Sequence, residues 1–124
     1  MKKILIVEDH ADIRRLIRMT LEFEPVEIRE APDADAGLAL ARDWGPDLVL
    51  ADVMMPGTID GIGLVRALRA DPALRHVPVL VLSACGQSAD RQAGLAAGAT
   101  DYLVKPFSPM QLLERTGELL GQPA

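Results

Sequence analysis

The chain reads as an α/β domain built around a parallel sheet, for three reasons. Short aliphatic, β-branched runs alternate with longer segments of helical period. Two of those runs, Leu48 to Ala51 and Val77 to Leu82, are almost wholly apolar, as strands covered on both faces must be. A length of 124 residues, 49% of them hydrophobic, suffices for one core but not for two ordinary domains, so 1–124 is expected to form a single unit.

Five strand and helix units follow one another. Lys3 to Val7 is the first strand, and Ile13, Leu16, Ile17 and Leu21 mark one face of the first helix, closed by Pro25. Val26 to Arg29 is a weaker strand. The helix that starts at Asp33 runs through Leu38 and Ala41 and stops at Gly45 and Pro46, a glycine-then-proline ending. Leu48 to Ala51 is the third strand, after which Asp60 can cap a helix burying Leu64, Val65 and Leu68 and ending at Asp71 and Pro72. In the fourth strand, Val77 to Leu82, Pro78 can sit only near the start because it lacks a ladder donor. Ala89 to Ala97 is a small-residue helix containing Gly94, expected to be marginal and mobile since glycine there costs roughly 1 kcal/mol relative to alanine. Tyr102 to Val104 is a short fifth strand. Ser108 and Pro109 then cap and open a last helix carrying Leu112, Leu113 and Leu120.

Composition excludes several functions. A net charge of −5, with no cluster of basic residues and no aromatic stripe, argues against direct nucleic-acid binding. The opening MKKILIV resembles a secretion signal, but Glu8 and Asp9 interrupt it, and no apolar run is long enough to span a bilayer. A single cysteine, Cys85, allows no internal disulfide, which points to a cytoplasmic protein without membrane attachment. With nothing basic beside it in sequence, Cys85 reads as a loop residue rather than a redox sensor.

Ligands of open parallel sheets bind at the carboxyl ends of the strands. Strand one ends in Glu8 and Asp9, strand three in Asp52, strand four in Ser83 and strand five in Lys105 followed by Pro106. Each alone has an ordinary reading as a solvated acid, a turn hydroxyl or a surface lysine; four strands delivering polar groups to one edge is another matter. Three adjacent carboxylates repel unless a cation neutralises them, and an all-oxygen set selects Mg²⁺, with Mn²⁺ as the alternative. Lys105 and Ser83 add a charge and a hydroxyl suited to phosphoryl oxygens. A carboxylate can itself attack phosphorus, so Asp52 at the mouth of a rigid strand is the candidate nucleophile, giving an acyl phosphate.

On these motifs, ILIVEDH, LVLADVMMPG, VLVLSA and DYLVKPF, the sequence resembles the receiver domain of two-component response regulators over essentially its whole length. The resemblance implies a flavodoxin-like sheet of order 2-1-3-4-5 with helices on both faces. It implies that Asp52 is phosphorylated by a histidine kinase or histidine phosphotransfer protein, and that Glu8, Asp9, Asp52 and the backbone carbonyl of Met54 hold Mg²⁺. It further implies that Ser83 and Lys105 bind the phosphoryl group, that Tyr102 swings inward with Ser83, and that the Lys105–Pro106 bond is cis. The signal would be read by a downstream protein or output domain on the face of helix four, strand five and helix five, with dimerisation on phosphorylation as one form of output.

Departures from the usual pattern are Glu at 8, Ser at 83 and a PGTIDG loop one residue longer than usual. Met54 offers no polar group to orient water, so a long-lived acyl phosphate is expected. His10 and His76 lack a partner at ligand spacing and read as surface residues, Trp44 as packing at a helix end, and Tyr102 equally well as core. The expected function is therefore a switch rather than an enzyme with turnover. An aspartyl-nucleophile phosphatase is the alternative, disfavoured by Met54 where such enzymes carry a second acid; a never-phosphorylated scaffold is disfavoured by the complete acid, hydroxyl and lysine set.

Overall fold

The computed structural model describes residues 1–53, 59–83 and 88–121, the side chains of 88–91 apart; Met54, Cys85 and the first half of the PGTIDG loop lie outside them. Among the described residues ten elements alternate: β1 (Lys2–Val7), α1 (Ala11–Leu21), β2 (Val26–Ala31), α2 (Ala34–Trp44), β3 (Leu48–Asp52), α3 (Gly61–Ala70), β4 (Val79–Ser83), α4 (Ser88–Ala97), β5 (Asp101–Val104) and α5 (Pro109–Leu119). The five strands are parallel in the order β2-β1-β3-β4-β5. The reversal of strand order falls between β1 and β3, the position where such sheets open a crevice.

Several boundaries have a local cause. Asp33 accepts from the amide of Ala36 and Asp60 from that of Gly63, so both acids cap their helices. Ser108 accepts from Gln111 N, while the Gln111 side chain accepts from Ser108 N, a reciprocal capping box. Gly45 closes α2 at φ 69°, a left-handed conformation that only glycine adopts without strain. β4 begins two residues later than expected, at Val79: Pro78 cannot donate, although its carbonyl still accepts from Val49 N at 3.0 Å. β2 runs two residues longer than expected, to Ala31, because all its residues pair in register with β1. There Glu30 is also held by Arg14 and Arg18 of α1.

The two faces of the sheet carry different side chains. Ile4, Ile6, Leu48, Leu50, Leu80 and Leu82 pack with Ile17 and Leu21 of α1 and Leu112 of α5. Leu5, Val7, Val49, Ala51, Val79 and Val81 pack with α2 and α3, and Gly94 of α4 approaches Val81. Large side chains thus fill the face covered by two helices, and mostly smaller ones the face covered by three, as close packing on both sides requires. Every residue of β3 and β4 is buried. Trp44 packs at the end of α2 as expected, with the Arg29 guanidinium 4.9 Å and the Lys3 ammonium 5.7 Å from its ring centre. His76 is exposed. Among the described residues, no helix is long and apolar enough to cross a membrane.

Candidate functional site

Five polar residues are buried among the described ones: Glu8, Thr20, Asp52, Ser83 and Thr116. The two threonines are local matters, since each hydroxyl donates to the carbonyl four residues earlier, Thr20 to Leu16 and Thr116 to Leu112, both at 2.9 Å. The other three stand at the carboxyl ends of β1, β3 and β4. Buried charge without a local purpose is costly, so its collection at one rim marks the site.

Lys105, immediately after β5, reaches across that rim. Its Nζ donates to Asp52 Oδ2 at 3.1 Å and lies 3.3 and 3.5 Å from the two oxygens of Glu8. Its backbone amide donates to Ser83 O at 2.7 Å, and the Lys105–Pro106 peptide bond is cis. Asp52 is itself the last residue of β3, in register with Leu82. The helix after it begins hard against the strand exit: a methyl group on Gly61 would overlap the carbonyl oxygen of Asp52 and lie 2.7 Å from its carbonyl carbon. Only glycine admits that approach.

Glu8 is fixed on both sides. Its amide donates to Ala31 O at 3.1 Å, and its carbonyl accepts from Arg14 Nη1 at 2.7 Å. Its side chain is fully buried, and burial is the main reason its pKa rises from 4.5 to about 7. A hydrogen bond shared with Asp52 and the negative charge of Asp52 push the same way, while Lys105 and His10 pull back. One lysine therefore does not neutralise the acids gathered here. Asp9 Oδ1 completes the imbalance: it is buried and has no hydrogen-bond partner.

His10 is exposed, as the sequence predicts, but it has partners where none was expected. As the N-cap of α1 it makes no capping bond; its ring folds back over the strand exit instead, with Nδ1 3.1 Å from Glu8 Oε1 and 3.2 Å from Asp9 Oδ1. The second contact is an ion-pair distance without hydrogen-bond alignment, which is why Asp9 Oδ1 stays unsatisfied. The clue available in sequence was adjacency to the acidic pair; Arg14, which braces the turn, sits one helical turn further on and was also passed over. Ligand atoms of Glu8, Asp9, His10 and Asp52 lie within 4.8 Å of one another. An orphaned buried oxygen and an acid held near neutrality among carboxylates fit a hard divalent cation. Of the remaining expected residues, Ser83 is buried at the end of β4, Tyr102 is half-buried against the α2 and α3 side of the core, and Met54 lies outside the described residues.

Comparison with known proteins agrees with this geometry. The chain is 47% identical over 118 residues to the transcriptional regulatory protein ResD of Bacillus subtilis, covering 95% of this chain and 48% of that protein. It is 42% identical over 119 residues to the phosphate regulon transcriptional regulatory protein PhoB of Pseudomonas aeruginosa, covering 96% and 52%. The chain thus spans about half the length of the curated relatives it matches. Among solved structures, a putative response regulator from Chloroflexus aurantiacus superposes with a TM-score of 0.93 at 34% identity, covering 98% of both chains. The chemotaxis response regulator CheY4 of Vibrio cholerae superposes at 0.90 and 34%, covering 96% of this chain and 98% of that one. The family model described as the response regulator receiver domain matches residues 4–116, and with five parallel strands presenting this acidic rim, the chain belongs to that family.

Proposed function

We propose that the chain is a phosphorylation-operated switch whose acceptor is Asp52 and whose donor is the phosphohistidine of a kinase or phosphotransfer protein. An Asp52 oxygen bonds to phosphorus as the phosphorus–nitrogen bond of the donor breaks; the bonding pair stays on the donor imidazole, which takes up a proton. Glu8, Asp9 and Asp52, with the Met54 carbonyl, would hold Mg²⁺ or Mn²⁺, which when bound supplies positive charge against the phosphoryl oxygens. Lys105 Nζ donates to one phosphoryl oxygen and the Ser83 hydroxyl to another, and Tyr102 follows Ser83 inward.

The observation that carries this reading is the placement of one ammonium within 3.1 Å of Asp52 and 3.3 Å of Glu8, beside an Asp9 oxygen with no partner. It is an arrangement short of positive charge and shaped around the end of one strand. Tyr102, Val104, Lys105, Gln111 and Arg115 line one groove along β5 and α5 that begins at Lys105 of the acceptor rim, and the face of α4, β5 and α5 is the output surface in this reading. ResD and PhoB are transcriptional regulators, and a downstream protein or output domain would take the signal here.

Intact mass after incubation with acetyl phosphate and Mg²⁺ tests the reading. A gain of one phosphoryl group, absent in Asp52→Asn and without Mg²⁺, is expected; a wild-type chain that gains none overturns it. Hydrogen exchange in α4 is expected to change with a phosphate mimic, and Met54→Asn to shorten the acyl phosphate lifetime.

A further inference from the structure

We infer that His10 is a nitrogen ligand of the divalent ion and biases this site toward Mn²⁺ over Mg²⁺. The inference rests on the reading above that such an ion sits among Glu8, Asp9 and Asp52, and adds a residue which the acidic set alone does not supply.

Three observations support it. First, the distances fit: cis ligands on an octahedral ion with bonds of about 2.1 Å stand about 3.0 Å apart, and His10 Nδ1 is 3.1 Å from Glu8 Oε1 and 3.2 Å from Asp9 Oδ1. Second, a hydrogen bond alone does not account for both contacts. The imidazole satisfies Glu8 but leaves Asp9 Oδ1 without a partner, so the ring stands beside an oxygen that only a further group, such as a shared cation, satisfies. Third, the turn is held in place. Glu8 is fastened at its amide by Ala31 and at its carbonyl by Arg14, the His10 carbonyl accepts from Arg14 N at 2.9 Å, and Arg14 Nε is anchored on Glu30. Preorganised donors bind with less ordering cost.

The chemistry then sets the preference. Mg²⁺ demands oxygen ligands and retains water, whereas imidazole suits first-row transition ions, and affinities rise along that series. Coordination through Nδ1 leaves Nε2 carrying its proton toward solvent, as a ring 62% exposed allows.

The test is Mn²⁺ electron spin echo spectroscopy on the unphosphorylated full chain, natural and with ¹⁵N-labelled histidine, together with direct Mn²⁺ and Mg²⁺ titrations of wild type, His10→Ala and Asp9→Ala. Expected are a histidine nitrogen modulation in wild type that changes with the label, its loss in His10→Ala although Mn²⁺ still binds, and a fall of roughly tenfold in the Mn²⁺ to Mg²⁺ affinity ratio. His10 is exposed and makes no capping bond, so its removal leaves the fold intact; circular dichroism verifies this. Bound Mn²⁺ without a histidine signal, or an unchanged ratio, overturns this inference alone. Failure of wild type to bind either ion overturns the metal-dependent reading and this inference with it.

Discussion

The two ends of the sheet each bury charge, and they treat it in opposite ways. At the amino end, the Arg69 guanidinium, half-buried in the last turn of α3, donates to Gly98 O at 2.8 Å, Val77 O at 2.6 Å, Arg75 O at 3.1 Å and Thr100 Oγ1 at 3.2 Å. One cation ties the entries to β4 and β5 onto α3, and burial lowers its pKa without threatening its charge. At the carboxyl end, Glu8, Asp9 and Asp52 share Lys105 and His10, one carboxyl is held near neutrality, and one oxygen has no partner. A satisfied charge holds structure together; an unsatisfied one waits for a ligand.

The largest expected effect comes from forcing the two requirements to collide. Gly61→Ala pushes a methyl group into the backbone of Asp52, so α3 must retreat from the strand exit. A loss of about 3 kcal/mol or more in urea unfolding is expected, together with loss of phosphoryl acceptance. Arg69→Ala comes next. It strips donors from three carbonyls and a hydroxyl at the other end, and about 2–4 kcal/mol of stability should go with them. Acceptance by the folded fraction should persist, and parallel loss of both would erase the contrast between the ends.

Glu8→Gln sharpens the comparison through pH. The folded pKa of about 7 lies above the ordinary 4.5, so between those values the folded chain holds a proton that the unfolded chain has released. The stability this contributes is fully present below pH 4.5 and is lost as pH rises through 7. The unfolding free energy of the metal-free wild type, from urea titrations, should therefore fall across that window by on the order of 1–3 kcal/mol, and the urea midpoint with it. In Glu8→Gln that fall should flatten, and Mg²⁺ at pH 8 should restore the wild-type midpoint but not that of Asp9→Asn. The smallest effect should be that of Arg42→Ala, which removes a 3.2 Å ion pair with Asp71 at the amino end. That side chain is 57% exposed, so a change of no more than about 0.5 kcal/mol, weakening with salt, is expected in the same unfolding assay.

Sequence alone located most of the unsatisfied end and little of the satisfied one. Asp52, Glu8, Asp9, Ser83 and Lys105 were legible because a parallel sheet places every strand exit on one rim, so position in a strand translates into position in space. Strand order came from the family resemblance, and the registry from packing. Arg69 was not legible: its partners sit 6 to 31 residues away, and nothing local distinguishes a guanidinium that clasps carbonyls from one in solvent. His10 was missed for a related reason, since a side chain's choice between capping a helix and folding back onto an acid depends on the turn's path. The start of β4 was off by two residues because the apolar pattern extends beyond the point where the proline removes a donor.

The contact between Lys105 and Glu8 joins residues 97 positions apart, the first strand to the turn after the last. A ribosome delivers the acids early and the ammonium late, so a nascent or truncated product ending before residue 105 carries Asp52, the proposed acceptor, but lacks the cation that reaches it. Such fragments would remain silent toward a phosphodonor, and competence to be addressed would coincide with completion of the sheet.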